Sequence, residues 1–143
     1  MDGDIIIDTD YIHYKEGYRY QLTRDRIYVT GIIPPKAIYH KYYVLDSTGR
    51  LILLQGFAWD GATWCPEWLV TPGMSAPHDA FCQCMRLGLL PYDTYSPQVH
   101  GHLRTLVAKR RGSFLAGAVF HAVTLAKGGH PSNKDDNPEV TDP

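Results

Sequence analysis

Apolar residues recur along this chain in two different rhythms. Over residues 18–54 they come in short β-branched or aromatic stretches. Tyr18-Arg19-Tyr20-Gln21-Leu22 and Ile27-Tyr28-Val29 are separated by the polar turn Thr23-Arg24-Asp25, and both read as strands. Pro34-Pro35 interrupts the sheet, because neither residue can donate to a ladder. His40-Lys41-Tyr42-Tyr43-Val44-Leu45 then runs into Asp46-Ser47-Thr48-Gly49 and out through Leu51-Ile52-Leu53-Leu54. That pattern is a hairpin, with Gly49 supplying the positive φ of a longer turn. Most of the tyrosines fall in this half, as suits a sheet with one wetted face.

The second half switches to a helical period. Ser75 is placed to cap a helix opening Ala76-Pro77-His78, with Gly88 as its C′ stop. Ser96-Pro97 gives an N-cap followed by proline at the first helical position. Val99, Leu103, Leu106 and Val107 line one side of that second helix. Ser113 caps a third helix through Ala126, closed by Gly128-Gly129. Its segment Phe114-Leu115-Ala116-Gly117-Ala118-Val119-Phe120 is apolar nearly all round, which predicts a buried central helix. The fold class expected is therefore α+β: an N-terminal antiparallel sheet of hairpins followed by three helices packed as a small bundle. Residues 18–129 form a single domain in this reading, with an N-terminal arm over 1–17 and a polar tail over 130–143.

Composition narrows the class. A chain of 143 residues with 44% hydrophobic and 20% charged residues is globular. A domain of that size buries roughly 68% of its unfolded surface and needs no disulfide to be stable. The net charge of -1 gives no global field toward nucleic acid or anionic lipid. The one basic cluster, Lys109-Arg110-Arg111, suits a helix C-terminus, where cations oppose the dipole. Three cysteines is an odd number, and Cys82 and Cys84 cannot share a helix face, so reduced thiols are expected. The acidic start MDGDIIIDTD is not a secretory leader, and no apolar run reaches the ~18 residues that span a bilayer. A soluble protein is expected.

Candidate chemistry concentrates at the junction of the two halves. All three tryptophans lie in the segment from Gly56 to Trp68, around Trp59-Asp60-Gly61 and Trp64. The plain reading is a structural loop of Trp59, Asp60, Gly61 and Trp64 anchored by its rings. The sharper one aims Asp60 into a cleft beneath the first helix. That helix opens with His78-Asp79, and a first-turn imidazole oriented by a carboxylate can act as a general base. His78 and Cys82 share a face at i, i+4. His100 lies on the inward stripe of the second helix, whereas His102 falls one position past it and is expected to be exposed. His78, Cys82 and His100 thus carry the ligand types of a tetrahedral zinc site, with Asp60 or water as the fourth ligand. A metal site, a His-centred hydrolytic site with His78 and Asp79, and a satisfied polar cluster all remain open. His13, His40, His121 and His130 have no partner spacing, and His121 reads as a core histidine donating to a carbonyl. Nucleophile-elbow, phosphate-loop, dinucleotide and His-Glu-x-x-His motifs are absent.

The order of these features resembles a family found widely in tailed-phage genomes, catalogued as domain-of-unknown-function family 1353. The resemblance rests on Phe57-Ala58-Trp59-Asp60-Gly61-Ala62, then His78-Asp79-Ala80-Phe81, then Val99-His100 and Gly128-Gly129, and covers roughly residues 18–129. The family's His-Asp-x-x-Tyr is in turn similar to the helix of secreted phospholipases A2, where His activates water and the adjacent Asp holds calcium. This chain departs at two positions: Cys82 stands in place of the Tyr, and His100 in place of an orienting second-helix Asp. A histidine cannot supply the negative charge that stabilises an imidazolium.

The resemblance implies a bacteriophage virion protein, non-enzymatic, in the tail or baseplate, made in the host cytoplasm and bound to other virion proteins. The alternatives are a small metal-assisted hydrolase using His78 and Asp79, and a zinc-stabilised binding module. Zinc and calcium are the candidate ions. No nucleic-acid partner and no membrane span are expected. The tail from 130 to 143 lacks the apolar residues to offset an ordering cost of roughly 1–2 kcal/mol per residue, so it is expected to order only within an assembly.

Overall fold

The computed structural model describes residues 20–61 and 65–132, which fall into two compact units dividing after Gly61. The expected arm over 1–17, Trp64 and most of the tail lie outside the described residues.

The first unit holds six strands in two antiparallel sheets. They are β1 (Tyr20–Gln21), β2 (Arg26–Val29), β3 (Ile38–Tyr39), β4 (Tyr43–Leu45), β5 (Arg50–Leu53) and β6 (Ala58–Trp59). The larger sheet runs β2-β5-β4-β3, and β1 pairs with β6 through Tyr20↔Trp59. The polar turn Thr23-Arg24-Asp25 therefore does not close a hairpin; it carries the chain from one sheet to the other. The β4–β5 hairpin forms as expected, in register Leu45↔Leu51. Gly49 takes φ 90° there, and a Cβ on it would meet the Gly31 backbone at 3.0 Å. Asp46 locks this turn by accepting from the Thr48 amide and hydroxyl and from the Arg50 amide. The Thr48 hydroxyl first, then the Arg50 amide, hold its carboxyl well below the usual carboxylate range.

Period-two alternation decides which face is buried. Tyr28, Ile38, Tyr43, Leu45, Leu51 and Leu53 point to one side and are buried. With Phe57 and Trp59 they form an aromatic-rich core, in which Phe57 stacks on Trp59 at 5.6 Å and meets Tyr43 edge-on at 6.1 Å. Each such side chain contributes about 1.5–3 kcal/mol by leaving water.

The second unit is three helices: α1 (Pro72–Arg86), α2 (Tyr92–Arg111) and α3 (Ser113–Leu125). The α+β order of sheet then helices is as expected, but the helix starts differ. Thr71, not Ser75, caps α1, its side chain accepting from the Met74 amide. α2 begins at Tyr92, so Ser96-Pro97 sits inside it. In both helices a proline occupies the sixth position, where it removes one i→i−4 bond without ending the helix. The far end of α1 is as read: Gly88 takes φ 77°, its N–H donates to Met85 O, and the Leu89 N–H donates to Cys84 O. These two bonds make a Schellman stop. Lys109, Arg110 and Arg111 fill the last turn of α2.

One expectation is overturned by burial. α3 is not a buried central helix: only Ala116, Val119 and Val123 are buried, while Phe114 is 85% and Leu125 69% exposed. Its buried edge joins Val70, Met74, Leu103 and Val107 in one apolar cluster. That narrow contact settles which of its many apolar positions become core. No described helix is long and apolar enough to cross a membrane.

Candidate functional site

Helix spacing places the junction residues. On α1, His78 and Cys82 are one turn apart, and both are buried, 5% and 3% exposed. On α2, His100 belongs to the stripe of Val99, Leu103 and Val107 and is 2% exposed. Packing of α1 against α2 brings the three together. His78 Nε2 lies 3.0 Å from His100 Nδ1, and Cys82 Sγ lies 3.7 Å from each ring nitrogen of His78. The two rings are tilted at 39° with centroids 5.2 Å apart. The convergence expected from the sequence is therefore present.

The chain turn after α3 closes over this pair. A Cβ on Gly128 would stand 3.3 Å from His100 Cε1 and 3.6 Å from His78 Cε1. At Gly129, φ 81°, it would stand 3.1 Å from Cys82 Cα. Sequence reading takes Gly128-Gly129 as a helix stop only. Their second role, as the bare backbone laid on the histidines, depends on a tertiary contact that no local pattern encodes.

Electrostatics keep the pair neutral. Burial first, then the like charges of His100, His102 and Arg86, push the His78 imidazole down to about 3. Burial also lowers His100. Among the described residues the charged groups that act on His78 are His100, His102 and Arg86, none of them a carboxylate. A 3.0 Å N···N contact between neutral imidazoles needs one N–H and one lone pair. His100 Nε2 is then left buried with no hydrogen-bond partner among the described residues.

The other candidates distribute as follows. Asp79 is half-buried beside His78 in sequence. Asp60 and Gly61 close the strand unit, whereas His78, Cys82 and His100 belong to the helical unit. Trp59 is buried at 1% exposure and rests on Phe57 and Tyr20, as a loop anchor should. Trp68, by contrast, is 61% exposed. His102 corrects its expected exposure: it is half-buried at the edge of Phe81, and burial first, then Lys109, push it down to about 4. His121, expected in the core, is exposed because α3 turns that face outward. His40 stacks on Tyr43 at 4.2 Å and accepts from the Tyr42 amide. His130 packs edge-on against Tyr92 and accepts from Ser132.

Chemically, a general base needs water and an orienting acceptor, and the ring nitrogens of His78 meet His100 and Cys82 instead. Metal chemistry needs lone pairs aimed at one point. Among the described residues no group of three or more His, Cys, Asp or Glu is arranged to hold an ion. The reason is angular: a sulfur equidistant from both nitrogens of an imidazole lies on neither lone-pair axis. No family model matches the chain, and no curated protein and no solved structure matches it.

Proposed function

We propose that this chain is a non-enzymatic bacteriophage virion protein, a tail or baseplate component whose work is to bind other virion proteins. The observation that carries the binding role is the outer face of α3. Phe114, Ala118 and Leu125 recur on one side at helical spacing and are all exposed. Exposed apolar side chains aligned along one face of a helix favour an interaction surface over a solvated one. The helix is about 20 Å long at 1.5 Å per residue. One face of that length falls short of the roughly 800 Å² per partner of a standard interface. A partner with an apolar groove that wraps the helix meets this requirement better than a flat one.

The virion assignment is supported by the resemblance of Asp60-Gly61-Ala62, His78-Asp79 and Gly128-Gly129 to the tailed-phage family. The non-enzymatic reading is supported by His100 standing where an orienting carboxylate would be required. The direct test is quantitative mass spectrometry of purified phage particles produced with the gene in place. A constant number of copies per particle is expected. Abundance in the lysate with none in the particles would refute the assignment. Hydrolysis of a calcium-supplemented phospholipid or ester by the pure protein, abolished in His78→Gln, would instead restore the hydrolase alternative.

A further inference from the structure

We propose that the outward face of the four-stranded sheet is a docking surface for a second copy of this chain, independently of the virion assignment.

The alternation that buries Tyr28, Ile38, Tyr43, Leu45, Leu51 and Leu53 turns the residues between them to the other face. An antiparallel sheet with one wetted face carries polar residues there. This one does not. Of the six outward strand residues, Ile27, Val29, Tyr39, Val44, Arg50 and Ile52, only Arg50 is charged. Register joins four of them into one row across every strand: Ile27↔Ile52, Ile52↔Val44 and Val44↔Tyr39. The ends of the row are open, with Ile27 38% and Tyr39 78% exposed, and Val29 beside Ile27 is 80% exposed. Leu54 and Tyr42, joined by a 2.9 Å backbone bond, extend the apolar surface on one side of the row.

Charge selects the occupant. On the other side of the row Arg50 and Asp46 are paired at 3.3 Å, so their charges cancel and the face does not repel a copy of itself. Two twisted sheets stack face to face about 10 Å apart with their strands roughly aligned. A two-fold axis along the strands, midway between β5 and β4, lays β5 over the second copy's β4 and β2 over its β3. That rotation leaves position along the strands unchanged. Arg50 then faces the second copy's Asp46, Ile52 faces its Val44, and Ile27 faces its Tyr39, each contact occurring twice. The projecting ring of Tyr39 falls on the short β-branched side chains of Ile27 and Val29. Exposed ion pairs contribute little, so Arg50 and Asp46 fix the register while the apolar row supplies the affinity.

Area sets the strength. Four strands about 4.8 Å apart and five residues at about 3.4 Å each make a face of roughly 19 by 17 Å. That is under the roughly 800 Å² per partner of a standard interface, so the dimer is weak and depends on concentration.

Sedimentation velocity of the full chain from about 10 μM to about 1 mM tests this. The dimer fraction is expected to rise with concentration. Ile27→Lys and Tyr39→Asp should each weaken association about tenfold or more, because each sets a charge against an apolar side chain of the other copy. Mixed one-to-one, the two variants should dimerise again, since the new lysine of one meets the new aspartate of the other and the second contact stays native. Phe114→Ser, on α3, should leave the equilibrium unchanged. A chain that stays monomeric over the whole range overturns the proposal. So does a dimer lost in Phe114→Ser, which would place the contact on α3, or a mixture that stays monomeric, which would rule out this two-fold. If either sheet variant loses its circular dichroism, a half-labelled wild-type sample decides. Cross-peaks between the Tyr39 ring and the Ile27 methyls of different copies are expected there, and a dimer without them overturns the proposal.

Discussion

Gly88 and Gly129 both take a left-handed backbone, at φ 77° and 81°, yet only one of them presses on a neighbour. A Cβ on Gly88 meets open space. On Gly129 it meets the Met85 methyl at 2.6 Å, which can move, and Cys82 Cα at 3.1 Å, which cannot. Gly88→Ala is therefore expected to cost about 1–2 kcal/mol from the backbone alone. Gly129→Ala should cost about 3 kcal/mol or more, with overpacking added. Denaturant melts of the two variants check this, and equal losses would mean that the turn does not rest on Cys82. Titration gives a second handle at this scale. The folded His78 and His102 sit below the ordinary value of 6.5, at about 3 and about 4. The unfolded chain therefore takes up protons first as pH falls. Their contribution is full above about pH 6.5 and is lost progressively toward pH 3–4. Thermal midpoints should fall between pH 7 and pH 4, and the fall should be shallower in His102→Gln. Ring spacing on α1 and α2 made the convergence of His78, Cys82 and His100 legible in the sequence. The half-burial of His102 was not legible, because its face is decided by Phe81 on another helix.

At the scale of elements, propensity places the helices well and their starts poorly. Ser75-Ala76-Pro77 and Ser96-Pro97 each look like the entry to a helix, yet both lie a full turn inside one. Thr71 and Pro91 stand at the true starts. A proline near a helix start and a proline at the start give the same local signal, and tertiary packing chooses between them. α3 shows the opposite failure. Its composition alone cannot tell a buried helix from one that carries an outward apolar face, because both are apolar all round. The two faces should respond differently to truncation. Val119→Ala, in the packed cluster with Leu103 and Val107, is expected to cost about 2 kcal/mol. Phe114→Ser, at an 85% exposed position, should change stability by no more than about 0.5 kcal/mol and should raise solubility. Chemical denaturation separates the two. Comparable losses would put Phe114 in a core and remove the observation on which the binding role rests.

For the whole molecule, the division into a strand half and a helical half follows from the switch of apolar period near residue 60, and the two compact units divide there. Which strands pair does not follow. β1 pairs with β6 across nearly the whole length of the described strand unit, and the turn Thr23-Arg24-Asp25 would read the same whether it joined neighbours or crossed between sheets. Long-range register is set by the common core of Tyr20, Phe57 and Trp59, which no local window contains. In the helical unit the same dependence on distant packing turns a motif that looks catalytic into a closed one. His78 faces His100, its thiol neighbour Cys82 leans on its ring, and Gly128 and Gly129 lie over the pair. The central claim is that this pair is neutral and shielded from solvent in the folded protein. Long-range proton–nitrogen correlation spectra of the histidine side chains at pH 7 test it most directly. One N–H and one bare nitrogen are expected on each of His78 and His100, with no titration of His78 down to pH 5. A His78 ring that is doubly protonated near neutrality, or that titrates close to 6.5, would contradict the claim and describe an open, solvated base.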